Sequence, residues 1–372
     1  MDQACVLPLA DMKNDNNLRA GLLAQAMASV RRQLGRVNEQ AYRDQGWNSQ
    51  AEKIQYKLSR FRLKLISRKQ VGKLDRMVQN IKSERIFNAF HNSLHQPGQF
   101  GDEVTFKHSG NAGDVIYALP AIKALSNGRP AKLYLKTGVP VNGWSKREHP
   151  LGKSGLTDEM VSKLKPLLES QPWLSSVQVH QGEFVQYDLD VFRQIPDIKA
   201  DHGDITRWYF WLHGANADLS KPWLEIDPPP TKTDARIVMA RSTRYRNPHL
   251  SYAFLRDTKA IDFIGTRDEF AEMQKLLPQL RHAECLDFLQ LARRIQSASF
   301  FIGNQSFPYS VAEALKVPRI LETCPLYPNV IPVGGDAAEA FFQPHFEKLV
   351  RLFIRKADAR AQSVPKVPDL AQ

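Results

Sequence analysis

The residues best suited to chemistry begin with the turn His108-Ser109-Gly110-Asn111-Ala112-Gly113-Asp114. Gly110 and Gly113 would let a ligand approach the backbone closely, with the freedom of positive φ, and an acid follows them directly. Asp114 there can take a proton from a reacting hydroxyl; it can equally cap a helix by accepting its first amides. A second cluster is Arg241-Ser242-Thr243-Arg244-Tyr245-Arg246, whose guanidinium forks and hydroxyls suit a diphosphate leaving group. A third is Gly303-Asn304-Gln305-Ser306-Phe307-Pro308. Ser306 reads as a helix N-cap, Pro308 suits a first turn, and the amides there would face an anion. One turn further in, Glu313 would either hold ribose hydroxyls or stand as a solvated helix carboxylate.

These clusters need a scaffold that brings strand ends together. Residues 103–108, 131–136, 177–180 and 185–190 read as strands, with helices opening at Thr157-Asp158-Glu159 and over 204–214, the latter buried through Trp208, Phe210, Trp211 and Leu212. After Asp227-Pro228-Pro229-Pro230-Thr231 a second series follows: strands at 235–240, 260–265, 299–303 and 319–322, helices at 269–277, 287–297 and 308–315. Alternating strands and helices imply parallel sheets covered on both faces. The expected architecture is α/β, two Rossmann-like doubly wound lobes at 103–228 and 232–345. A basic helical extension over 1–96 precedes them, and a helix with a disordered tail follows over 346–372, the tail from Ala357. Gly110 to Asp114 and Arg241 to Arg244 then fall at the carboxyl edges of their sheets, where ligands of open α/β folds bind.

The 372 residues carry a net charge of +12, of which the first hundred residues, with 17 Lys/Arg against 8 Asp/Glu, supply +9. In that segment Ile54, Leu58, Phe61 and Leu65, then Val71, Leu74, Val78 and Ile81, make an apolar stripe among Arg60, Arg62, Lys64, Arg68, Lys69 and Lys73. Such a helix would lie on an anionic membrane surface, make an oligomer contact or pack on its own body. Few aromatics are interleaved with the basic residues and no nucleic-acid-binding module is recognisable, so nucleic acid is not the expected partner. No apolar run approaches the ~18 residues that cross a bilayer, which suggests a cytoplasmic protein, at most peripheral to the inner face of the membrane. Cys5, Cys285 and Cys324 lack metal-ligand or disulfide-framework spacing. The turn at 110–114 is neither a Gly-x-Gly-x-x-Gly dinucleotide signature nor a phosphate-binding loop ending in Gly-Lys-Ser/Thr.

The stretch Val104 to Leu125 resembles the opening strand, turn and helix of the bacterial heptosyltransferase family, glycosyltransferase family 9. Gly113-Asp114, Leu119-Pro120 and Leu125 occupy that family's Gly-Asp, Leu-Pro and Leu places. A second resemblance covers Asp287 to Gly303-Asn304 and continues through Ser306, Ala312, Ala314, Leu315 and Pro318; Gln305, Phe307 and Ser310 stand where the family has an acid, a glycine and a histidine. The resemblance implies the two-lobed GT-B fold, a nucleotide-sugar donor bound in the interlobe cleft, Asp114 as general base and inversion at the anomeric carbon. It also aligns Gly265-Thr266, with Glu269, with a turn near the nucleotide base; a resemblance to other two-lobed transferases, which use a glutamate on this helix for ribose, implies that role for Glu313. The three replacements point away from heptose and ADP. The implied donor site is Gly110, Asn111, Gly113, Arg241, Ser242, Arg244, Gly265, Thr266, Gln305, Ser306, Ser310 and Glu313. The acceptor would be a hydroxyl of a glycan or glycolipid, as in bacterial surface polysaccharide. No bound cofactor and no metal are expected, since no Asp-x-Asp motif lies in the donor half. A nucleotide-sugar epimerase and a catalytically silent nucleotide-binding scaffold are the alternatives.

Overall fold

A computed structural model describes residues 49–66, 71–78, 80–82, 84–85, 102–139, 155–191, 202–227 and 235–363. Most of the N-terminal extension, the 96–101 linker, the 228–231 hinge and the tail beyond residue 363 lie outside these residues. In the extension, α1 (Gln50–Ile66) and a helical stretch at 71–78 form an antiparallel pair. Tyr56 Oη donates to Asp75 (2.8 Å), Arg60 Nε reaches the same carboxylate (3.0 Å), and Arg85 pairs with Glu52 (2.8 Å). Val71 is buried within this unit, but Leu58 and Phe61 of the expected stripe are 47% and 63% exposed. Among the described residues no helix is long and apolar enough to cross a membrane.

The body contains two parallel sheets. The first has strands β1 (Val104–His108), β2 (Ala131–Leu135), β3 (Leu174–Val179) and β4 (Tyr187–Asp188) in the order β3-β2-β1-β4. Helices α2 (Ala112–Ser126), α3 (Asp158–Glu169, capped by Thr157) and α4 (Ile205–His213, capped by Asp204) accompany it. In α4 the buried face is Ile205, Thr206, Tyr209, Leu212 and His213, not the tryptophans: Trp211 is 61% exposed. The helical repeat turns Trp208 and Trp211 away once Tyr209 and Leu212 point inward.

The second sheet comprises β5 (Ile237–Ala240), β6 (Ile261–Phe263), β7 (Arg281–His282), β8 (Phe300–Asn304), β9 (Arg319–Glu322) and β10 (Ala337–Ala340), ordered β10-β9-β8-β5-β6-β7. Between them run α5 (Arg267–Leu276), α6 (Phe288–Ser297) and α7 (Phe307–Leu315). The C-terminal α8 (Gln343–Ser363) starts earlier and runs further than expected, so 357–363 are helical rather than disordered. Its Phe346, Val350 and Phe353 join Ile237, Phe263, Phe300 and Ile320 in this sheet's core, which makes the helix part of the lobe. Strand β7, an Arg-His pair, and β10, three alanines and a glutamate, lack the β-branched and aromatic residues that mark a strand in sequence.

Pro120 lies inside a continuous α2. Proline offers no N–H to the carbonyl four residues back, which here is Ile116 O. The indole of Trp223 supplies the missing donor, with Nε1 3.1 Å from Ile116 O. Trp223 is also tied to the second lobe: its amide donates to Ala314 O (3.0 Å) at the end of α7, and Lys316 Nζ stands 4.3 Å over its ring. Further ties between the lobes are Ile205 N to Asn329 O (3.1 Å) and Ile331 N to Asp204 Oδ2 (3.3 Å).

Candidate active site

In the first sheet strand order reverses between β1 and β4; in the second, between β8 and β5. Ligands of open α/β sheets bind outside the carboxyl ends of strands at such reversals. The turn carrying Asp114 follows β1, and the Arg241 to Arg246 loop and the Ser306 turn follow β5 and β8.

The first turn is held from several sides. Ser109 N donates to Asp190 Oδ1 (2.9 Å), just beyond β4, and Gly110 N donates to His108 Nδ1 (3.0 Å). Asp190 N bonds Asp188 Oδ1 (3.0 Å), and Lys107 Nζ bonds Asp188 Oδ2 (2.6 Å). Burial, and secondarily the Asp190 charge, raises the Asp188 pKa above the ordinary carboxylate range. Asp114 sits at the third position of α2, where its Oδ2 accepts from Asn111 N (3.1 Å). Of the two expected roles of this carboxylate, capping is the one its contacts display; the residue is half-buried. Neither Gly110 nor Gly113 has positive φ, contrary to expectation. What Gly113 provides is proximity: a Cβ on it would stand 3.6 Å from Ser310 Oγ and 3.7 Å from Phe307 Cα. The N-terminus of α2 in one lobe thus meets the N-terminus of α7 in the other, two positive dipole ends facing one place.

Beside the second sheet Asn304 organises the β5 loop, its Oδ1 accepting from Ser242 N (2.9 Å) and its Nδ2 donating to Ser242 O (2.9 Å) and Arg244 O (2.6 Å). Glu269, buried, accepts Thr243 N (3.1 Å) and Thr266 N (3.0 Å), which ties that loop to the Gly265-Thr266 turn. Thr266 caps α5. Gly265 leaves room that a side chain would take from Phe263 and Glu269. Ser306 holds the N-cap position of α7 but its Oγ donates to Asn304 O (3.1 Å), so no side chain caps that helix end.

Four expected ligand residues are committed elsewhere. Arg241 forms a bidentate pair with the fully buried Glu322 (2.8 and 2.9 Å), which also receives Tyr252 Oη (2.9 Å) and Asn247 N (2.7 Å). Gln305 is an anchor for the β9 loop, bonding Tyr327 O (2.5 Å), Asn329 Oδ1 (2.8 Å) and Cys324 N (3.0 Å). Glu313 is neither solvated nor open to a ribose. It is 1% exposed, with Oε1 taken by Lys316 Nζ (2.5 Å) and Val333 N (3.1 Å) and Oε2 by Arg319 Nε (2.6 Å). Burial pulls the Lys316 pKa down to about 8 against the opposing pull of Glu313. Ser310 is fully buried and bonds Phe307 O (2.7 Å). Arg246 is held by Glu272, leaving Arg244 as the loop arginine with no ion pair among the described residues. Its guanidinium lies 5.1 Å over the Tyr245 ring, with a buried Nε that meets no acceptor.

Sequence reasoning included Asn304 in a candidate turn without a role for its side chain, and it missed Asp190, Tyr209 and Gly155. Only Asp190 had a readable signal, the Asp188-Leu189-Asp190 triplet after a strand. Gly155 presses on the Asp114 turn, since a Cβ there would meet Ser109 O at 2.6 Å.

No protein-family model and no curated protein matches the chain. Among solved structures it is similar to the glycosyl transferase family 9 protein from Veillonella parvula DSM 2008, with TM-score 0.44 and 13% identity over 68% of this chain and 89% of that one. It is similar to E. coli ADP-heptose lps heptosyltransferase II, with TM-score 0.44 and 12% identity over 69% and 99%. Heptosyltransferase WaaC of E. coli, with ADP-2-deoxy-2-fluoro heptose, gives TM-score 0.43 and 12% identity over 68% and 99%. The three solved structures named are a family 9 glycosyl transferase and two heptosyltransferases.

Proposed function

We propose that the chain is a nucleotide-sugar-dependent glycosyltransferase of the two-lobed GT-B type, acting with inversion and without a metal. The observation that carries this reading is the meeting of Gly113 with Phe307, which brings a carboxylate-bearing helix start of one lobe to an uncapped helix start of the other. Asp114 removes the proton of an acceptor hydroxyl on a glycan or glycolipid, such as a bacterial surface polysaccharide. That oxygen bonds to the anomeric carbon while the bond to the nucleotide diphosphate breaks, the electron pair leaving with the phosphate. Arg244, Ser242 and the amides at Ser306 and Phe307 meet the developing charge, a task the helix dipole favours. Gly110, Asn111 and Gly113 line the reacting edge, and Gly265 and Thr266 flank the nucleoside. Arg241, Gln305, Ser310 and Glu313 shape the loops from behind. A nucleotide sugar as co-substrate implies work in the cytoplasm, at the inner face of the membrane where the acceptor is a glycolipid.

Asp114→Asn tests this, because asparagine keeps an oxygen for the Asn111 amide and loses the base. With a donor chosen by thermal shift from a nucleotide-sugar panel, turnover should fall by ~10² to 10⁴ while the fold is retained. Full turnover in that variant would end the Asp114 assignment. Nucleotide binding with neither hydrolysis nor transfer in the unaltered protein would favour the silent scaffold instead.

A further inference from the structure

Tyr209, in α4, and His108, at the end of β1, are both fully buried. The Tyr209 hydroxyl lies 2.7 Å from His108 Nε2 and 3.5 Å from the main-chain oxygen of Asp114. The tautomer follows from the third contact: Gly110 N–H can only donate, so His108 Nδ1 is the acceptor and the ring proton sits on Nε2. His108 Nε2–H then donates to Tyr209 Oη, whose hydroxyl is within reach of Asp114 O in a long bond. One hydroxyl thereby spans the turn, fixing the strand end on one side and the first turn of α2 on the other.

Fixing both ends matters because the residues between them have few backbone bonds of their own. Burying a histidine and a tyrosine hydroxyl costs desolvation that apolar side chains of similar size would not incur. We infer that Tyr209 and His108 are positioning residues that set where Asp114 stands relative to α7, an inference that rests on the glycosyltransferase reading above. Neither touches the reacting atoms. They act by holding the backbone from which the Asp114 carboxylate projects, and small displacements at a reacting group are costly to rate.

Tyr209→Phe removes the hydroxyl and keeps the ring. His108→Asn keeps an acceptor near the Nδ1 position for Gly110 and loses the contact to Tyr209. With the full-length protein and the donor from the thermal-shift panel, each variant should lower kcat about 10-fold or more. The KM for donor should stay within about 2-fold, and amide hydrogen exchange over residues 109–116 should rise. The double variant should be no slower than the worse single one, since both break one link. Unchanged exchange in Tyr209→Phe overturns the inference, as does an unchanged kcat or a loss explained wholly by a lower folded fraction. If the unaltered protein turns over no nucleotide sugar, the glycosyltransferase reading fails and this inference fails with it. If it does and only the variants are silent on kcat, the inference alone is lost.

Discussion

Two arginines of one loop, three residues apart, have opposite fates. Arg241 is spent on Glu322, a carboxylate with no solvent contact, while the Arg244 guanidinium stacks on Tyr245 with no carboxylate paired to it among the described residues. Arg241→Ala would strand the buried Glu322 charge, at a cost of about 3–5 kcal/mol, and should appear as a large fall in thermal midpoint. Arg244→Ala should leave the midpoint nearly unchanged and weaken nucleotide diphosphate binding by about 10-fold or more, the worth of a charge-assisted bond. Isothermal titration and thermal melts on both variants check this; a binding loss confined to Arg241→Ala would reverse the two roles. In the sequence the two residues are equivalent, because nothing local says that Glu322, 81 positions away, lies beneath one and not the other.

At the scale of elements, Pro120 and Trp223 behave as one feature. Pro120 leaves Ile116 O without its helical donor, and Trp223, arriving from the segment that leaves the first lobe, takes it. Trp223→Phe should therefore destabilise the protein by about 1–3 kcal/mol, the cost of an unsatisfied buried carbonyl. Pro120→Ala restores an N–H in the right place, so it should recover part of that loss in the Trp223→Phe background and gain less in the unaltered protein. Urea melts of the four proteins measure the coupling; strictly additive effects would disprove it. The helices were largely legible because their signals are local. Thr157, Asp204, Thr266 and Asp287 each cap the helix that follows with a side-chain oxygen. Which face of α4 is buried was not legible, since its aromatic residues lie all round the helix.

Across the whole molecule, buried titratable groups link folding to pH. His213, at the end of α4, is 3% exposed, and burial pulls its pKa down to about 4. Between that value and the ordinary 6.5 the unfolded chain binds a proton that the folded one refuses, so stability falls as pH drops from about 6.5 to 4. Full expression of the shift is worth about 3 kcal/mol. Asp188 and Asp204 oppose this: burial raises their pKa values, so the folded state takes up their protons first and gains stability on acidification. Replacing the imidazole by His213→Leu should flatten the acid side of a stability–pH curve measured by denaturant melts from pH 7 to 4.5. An equal slope in both proteins would count against the assignment.

The sequence by itself determined the alternation of strands and helices, most helix starts, and the two turns that carry Asp114 and Arg244, because strand hydrophobicity, caps and glycine turns act within a few residues. Tertiary structure alone decided which charged side chains were consumed internally. Arg241, Gln305 and Glu313 look available in the chain and are all bound within the fold. Their partners are a buried carboxylate, a neighbouring loop and a pair of cations, joined by strand order rather than by proximity in sequence. It also decided that Gly113 serves close approach between lobes and not a left-handed turn, since only the packed molecule sets Phe307 against it.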